Sequence, residues 1–337
     1  MQTRHQLFLI CITAQFFILL FIYKDNLVIR KTLVSTQEQL VLSEQDYSQL
    51  NNLTGFKFNI LNNQTCSDKE LLLLILVPSA PGNIGKRNVI RETWGSLKRD
   101  DVKVMFVLND PGDESVQSKL LIENEEFEDI VQGSLMDTYR NLTYKTIMCL
   151  KYATYHCKNA KYVLKVDDDV FVNVPQMISF LENDLEPLHP ENFLMCSVLS
   201  SSKVVRDRND PYLGKYMATY EEFPDTYYPV YCAGWVALFS RDVVPKFYQI
   251  AQKVRYFYLE DVFTYGLVAR RIPELKRVSI GSYVLDSGRI SKLIDNSTLN
   301  YDFIIGWFSM AESKMRKLWD VVKKSPVKEH LKLNFEL

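Results

Sequence analysis

Residues 162–173 read YVLKVDDDVFVN. The first half has the composition of a strand buried within a sheet, and three acids, Asp167, Asp168 and Asp169, follow it at once. Carboxylates inside a sheet would be costly to desolvate. At the carboxyl end of a strand they are not, because ligands of open α/β sheets bind just beyond that edge. In extended geometry Asp167 and Asp169 point to one side and Asp168 to the other. Two carboxylates on one side suit a hard divalent cation that also takes phosphate oxygens. The ordinary alternative is a solvated acidic turn, but aliphatic and aromatic residues flank the triplet on both sides and argue against it. A calcium loop is disfavoured because the D-x-D-x-D-G pattern and its distal glutamate are missing.

Working outward, ELLLLILVP (70–78) is a continuous apolar run, as in a parallel strand buried on both faces. VKVMFVL (102–108), DIV (129–131) and GWVALFS (234–240) read as further strands. Helical patterns begin near Arg87 and cover residues 115–126 and 137–156. Another starts at Pro175, a residue suited to the first helical turn, and two more cover residues 241–254 and 259–272. The alternation predicts an α/β fold with a mostly parallel central sheet.

The chain has 337 residues, 47% hydrophobic and 24% charged, enough for a sizeable core. Its formal net charge is −1 and its basic residues are scattered, which leaves no electrostatic case for nucleic acid. Residues 7–23, LFLICITAQFFILLFIY, carry no charge and as a helix would span roughly 25 Å. No small-residue cleavage pattern follows, so the segment reads as an uncleaved signal anchor. The expected organisation is a cytoplasmic tail (1–6), a transmembrane anchor (7–23), a polar Gln/Asn/Ser-rich stem (24–66) and a lumenal domain (67–337). Of four N-x-S/T sequons, Asn52, Asn63 and Asn296 are the expected glycosylation sites. Cys11 lies in the anchor. Cys66, Cys149, Cys157, Cys196 and Cys232 are an odd number beyond it, so at least one is free or intermolecular.

Five segments, in order, resemble glycosyltransferase family 31, the β-1,3-galactosyl- and β-1,3-N-acetylglucosaminyltransferases. They are RNVIRETW (87–94), DTYRNLTYKT (137–146), KVDDDVFVN (165–173), YPVYCAG (228–234) and LEDVFTYG (259–266). Each alone is weak; in register they are specific. The resemblance implies a GT-A-like nucleotide-sugar-binding fold behind the signal anchor and inversion at the anomeric carbon. It implies a UDP-sugar donor, manganese or another divalent cation as cofactor, and a glycan acceptor on glycoprotein or glycolipid. The implied location is the Golgi membrane, as a single-pass type II protein. The expected reaction transfers galactose, or a related hexose or N-acetylhexosamine. The alternative is a catalytically weak or inactive homologue that binds glycans or serves as an assembly partner. Donor sugar, acceptor and oligomeric state are not legible in these motifs.

On the same resemblance, Asp169 and Asp167 are metal residues, and Arg87, Arg91, Asp137, Lys145, Asp167 and Asp168 border the donor. Arg87 and Arg91 are four apart, hence on one helix face. Asp261, with Glu260 as its alternative, takes the proton of the attacking hydroxyl, the one carboxylate that an inverting transfer needs. Trp235 and Gly234 are expected on the acceptor side. Asn141 lies inside the second motif and is expected to pack and not to be glycosylated; Trp94 is expected in the core. Two departures from the family pattern are visible. Its frequent histidine metal ligand has no counterpart in residues 278–295, the chain's histidines being His5, His156, His189 and His330. Val236 stands at the second position of a Gly-x-Gly, where backbone usually approaches ligand. For disulfides, Cys66–Cys157 comes first, because adjacent parallel strands would bring the starts of the first strand and the acidic strand together. Cys196–Cys232 comes second, leaving Cys149 buried and free.

Overall fold

The computed structural model describes residues 48–62, 66, 70–296 and 302–332. The tail, the anchor and Asn63 lie outside these residues. Among the described residues no helix is long and apolar enough to cross a membrane.

Part of the segment expected as stem, residues 48–62, is built into the folded body. The hairpin β1 (Gln49–Leu50) and β2 (Leu53–Thr54) packs on the body, and β3 (Phe58–Leu61) forms an edge of the main sheet. Leu50, Phe56 and Ile60 are buried there, so these apolar residues within a polar stretch belong to the core. The body continues with β4 (Leu71–Pro78), α1 (Ile84–Glu92), β5 (Val102–Asp110), α2 (Glu114–Phe127), β6 (Ile130–Met136) and α3 (Leu142–His156). Then come β7 (Ala160–Val166), α4 (Val174–Ser179), β8 (Phe193–Leu199), β9 (Tyr231–Ser240) and α5 (Val243–Ala251). A π-helical turn (Val262–Val268), β10 (Lys276–Ser279), β11 (Val284–Leu285), α6 (Ser287–Asn296), β12 (Ile305–Gly306) and α7 (Glu312–Val322) follow.

Eight strands form one sheet in the order β10-β8-β9-β7-β4-β5-β6-β3. It is mixed but mostly parallel, since only β9 and β3 run against the other strands. β9 inserts between β7 and β8 and runs against both, and β3 runs against β6. The remaining neighbours are parallel. An apolar run such as residues 231–240 announces burial but carries no strand direction, so the antiparallel course of β9 was not visible in it. Alternate residues of β4 feed two core layers. Leu74 and Leu76 pack with α3 and α5; Leu73, Ile75 and Val77 pack with α1, α4, α6 and α7. Trp94 is fully buried in the second layer.

β4 and β7 are parallel neighbours, Leu71 facing Ala160, and Cys66 is bonded to Cys157 beside them. Cys196 and Cys232 join β8 to β9, and Cys149 is buried and free. The helix expected over residues 259–272 is instead a π-helical turn followed by a 3-10 turn, Ala269–Arg271. Gly266 lies so close to Pro229 and Tyr231 that a methyl group there would stand 3.1 and 3.2 Å from their side chains. π turns of this kind concentrate at functional sites.

Candidate active site

β7 ends at Val166, so the acidic triplet lies just past the carboxyl end of a central strand. The Asp167 N–H donates to the Trp235 carbonyl of β9 (3.1 Å), which prolongs the sheet by one bond. Asp168 turns inward. Its carboxylate accepts from Ser79 Oγ (2.8 Å), Asn83 Nδ2 (2.9 Å) and Lys86 Nζ (2.8 Å). With its oxygens so engaged, it fastens the loop after β4 to the strand end and is not available as the donor contact expected of it. Lys86 also stands 3.4 Å from Asp169 Oδ2. The side chains of Asp167 and Asp169 keep 41% and 30% of their surface in solvent, against 9% for Asp168. Asp167 and Asp169 are thus the more exposed pair and Asp168 the inward anchor, but the triplet is a turn closed by the Val170 N–H on the Asp167 carbonyl (3.2 Å), not the extended strand on which the alternation rests.

Arg87 and Arg91 leave the donor set. Arg87 is fully buried, bidentate on Glu123 (2.7 and 2.6 Å), and donates to the carbonyls of Ala80 (2.7 Å) and Pro81 (3.1 Å). Arg91 holds Glu123 and Asp129, each at 2.8 Å, and lies 4.0 Å from the Phe127 ring centroid. Their one-face spacing on α1 is real, but the face meets α2. The Arg87 guanidinium shapes the 79–83 loop from behind. Lys145 pairs with Asp137 and donates to the Ser79 carbonyl (2.8 Å), which places both expected residues at the rim of that loop. Asn141 Nδ2 donates to the Met136 carbonyl (2.8 Å) and is engaged, as its motif position implied. Asn52 and Asn296 are exposed.

The second half of the site meets the triplet through Lys165, a residue the motif reading left without a role. It is 4% exposed. Its ammonium donates to the Gly234 carbonyl, approaches Asp167 Oδ1 (3.1 Å) and stands 3.6 Å from Glu260 Oε1. Burial alone would lower the Lys165 pKa, but Asp167 and Glu260 reverse this and hold it well above the ordinary lysine value. A lysine within an apolar strand run was the available signal, since a buried ammonium needs partners. Glu260 also accepts from Thr146 Oγ1 (2.8 Å), and burial pushes its carboxyl up to about 7. Asp261 Oδ1 accepts the Val262 N–H (2.8 Å), and burial raises this carboxyl too. Gly234 is required where it stands: a methyl group would fall 2.5 Å from Glu260 Oε2 and 3.4 Å from Asp261 Cβ. One glycine thus brings the two carboxylates against the strand beside the triplet.

A strap formed by residues 302–310 closes the third side. Asn173 Nδ2 and N–H donate to the carbonyls of Phe303 (3.0 Å) and Ile304 (2.9 Å). Gly306 N–H donates to the Phe171 carbonyl (2.8 Å) and Met310 N–H to that of Asp169 (2.9 Å). The strap carries Trp307 and Phe308 and no histidine. His156 packs against Phe58 and Tyr152, and His330 pairs with Asp184 (3.0 Å), so both are engaged elsewhere. Among the described residues no group of three or more His, Cys, Asp or Glu side chains is placed to hold an ion. Asp167 and Asp169 are hard oxygen donors that fit a divalent cation completing its shell with phosphate and water oxygens, not one held in a protein cage.

The sequence matches the family described as Galactosyltransferase over residues 85–278, more than half of the chain, and the chain belongs to that family. A lactosylceramide 1,3-N-acetyl-β-D-glucosaminyltransferase of Xenopus tropicalis is 32% identical over 229 residues, 65% of this chain and 59% of that protein. A human UDP-GalNAc:β-1,3-N-acetylgalactosaminyltransferase 1 is 36% identical over 217 residues, 62% of each chain. The chain spans about three fifths of the length of the curated relatives it matches. A solved glycosyltransferase involved in glycosylation of the major capsid of PBCV-1 superposes with a TM-score of 0.35 at 11% identity, over 73% of this chain and 98% of that one. That likeness is too slight to inform the site.

Proposed function

We propose that this chain is an inverting β-1,3-glycosyltransferase that moves galactose, or a related hexose or N-acetylhexosamine, from a UDP-sugar to a glycan acceptor. The observation that carries it is that Lys165 joins Asp167 of the acidic triplet to Glu260, while Gly234 lets Glu260 and Asp261 lie against the neighbouring strand. Family membership and relatives that are β-1,3-transferases support it.

Asp167 and Asp169 would hold the divalent cation, manganese in this reading, whose charge stabilises a departing diphosphate. Asp168, fastened by Ser79, Asn83 and Lys86, keeps the triplet's outward pair at the loop that borders the nucleotide. Asp261 takes the proton of the attacking hydroxyl. Its raised pKa brings it toward the operating pH, where a general base works best. Glu260, tied to Thr146 and Lys165, holds the strand beside Asp261 and is the alternative base. The acceptor belongs to a glycolipid or glycoprotein, and the location that accompanies this reading is the Golgi membrane, anchored through residues 7–23.

The test is turnover by the full chain in detergent with manganese, a panel of UDP-sugars and β-galactoside or N-acetylhexosaminide acceptors, followed by linkage analysis. A β-1,3 product that disappears in Asp169→Ala is the expected result. A folded protein that neither transfers nor hydrolyses any UDP-sugar would sink the reading.

A further inference from the structure

We propose that Trp235, Trp307 and Phe308 form an aromatic wall that stacks the C–H face of a pyranose ring beside the acidic triplet. The inference rests on the transferase reading and adds a sugar-binding surface to it.

The Trp307 and Phe308 rings stack with centroids 5.0 Å apart and planes 26° from parallel. The Trp235 ring lies 6.0 Å from one and 5.5 Å from the other. Trp307 is 40% exposed and Phe308 39%, so the cluster presents aromatic surface to solvent instead of burying it. Contiguous exposed apolar surface of this kind marks a binding site more often than a packing fault.

The wall is pinned to the chemistry. Its backbone is bonded to Asp169 through Met310 and to Phe171 through Gly306, while the Trp235 carbonyl receives the Asp167 N–H. Neighbouring residues of β9 face opposite ways. Gly234 looks toward Glu260 and Asp261, whereas Trp235 packs with the other core layer. The carboxylate pair and the wall therefore flank the triplet from its two sides. Beyond the strap α7 meets α1, where Glu312 Oε1 lies 3.0 Å from the position a Gly85 methyl would take.

The occupant follows from this mixture. A purely apolar guest would leave Asp167 and Asp169 facing hydrocarbon, and a purely polar one would gain nothing from three rings. A pyranose has an apolar C–H face and a hydroxyl edge, and sites for such molecules join aromatic walls to a few polar groups. The ring belongs either to the donor sugar or to the terminal acceptor sugar.

Calorimetric titration of the full chain with UDP, UDP-galactose, two UDP-N-acetylhexosamines and lactose separates these. The double variant Trp307→Ala/Phe308→Ala should weaken one sugar-bearing ligand by about tenfold, the scale of one aromatic stacking contact. UDP alone should bind as before, and Trp307→Phe should keep most of the affinity. A loss confined to UDP-sugars assigns the donor ring; one confined to lactose assigns the acceptor ring. Unchanged sugar affinities, an equal loss of UDP affinity, or a wild-type chain that binds no sugar would each overturn the wall. Wild-type binding of lactose but of no UDP species would leave the wall standing and remove the transferase reading.

Discussion

Among single side chains, Lys165 joins the two halves of the site, since it faces Asp167 and Glu260 at once from a buried position. The roles of its neighbours can be separated by measurement. Asp261→Asn removes the proposed base without removing volume, so kcat should fall by about 10²- to 10⁴-fold while UDP affinity holds. Because burial raises the Asp261 carboxyl, the acid limb of the wild-type rate profile should lie above the ordinary carboxylate range. Glu260 gives a different signal. Its carboxyl titrates near 7 in the fold, against an ordinary 4.5. The folded chain therefore holds an extra proton between those values. The stability this confers is present below 4.5 and is lost as pH rises through about 7, so Glu260→Gln should flatten the decline in urea midpoint from pH 5 to pH 8. Arg87→Ala should cost about 3–5 kcal/mol in urea unfolding, the scale for breaking a buried ion pair, and a change confined to donor KM would contradict its reassignment. DDD was legible because three acids after an apolar run have few ordinary explanations. Arg87 was misread because a helix-face spacing states which residues share a face, not which element covers it.

At the scale of elements, β9 sets the geometry. It runs antiparallel between β7 and β8 and puts Gly234 against the carboxylate pair at the start of the π-helical turn. Gly234→Ala places a methyl group 2.5 Å from Glu260 Oε2, so Glu260 must move. The expected result is a loss of about 1–3 kcal/mol of stability, the usual cost of overpacking, with reduced turnover at unchanged UDP affinity. Assay and urea titration of the same preparation check both. The sequence pointed to Gly234 through its motif, but the reason for glycine lay in a contact between residues 26 positions apart. β8 and β10 escaped notice altogether. Residues 276–279 open with two charges and bury only Val278, and residues 193–199 are a short apolar run without the alternation that marks a strand. By contrast α2 was legible to within a residue, because Asp113 caps it by accepting from the Ser115 and Val116 N–H groups.

For the molecule as a whole, two disulfides tie the sheet. Cys66–Cys157 closes a loop of 91 residues around β4, β5, β6 and α3. Replacing both cysteines with serine should cost about 2–5 kcal/mol and lower the thermal midpoint, and calorimetry would show it. Cys149→Ser should leave the disulfide pattern intact, as mass mapping would confirm. Cys66–Cys157 was readable from the adjacency expected of two parallel strands, whereas the start of the folded body was not. The 48–61 segment is polar in sequence and becomes structural by lending a few apolar residues to an edge. The strap of residues 302–310 has a consequence in time. A ribosome delivers the triplet early and the residues that seat against Asp169, Phe171 and Asn173 more than a hundred positions later. The sheet can assemble while those groups wait for their partners, so the acidic loop is finished only once residue 310 has been made. A chain cut after β10 would keep every residue of the acidic motif and still lack the surface on which that motif is set.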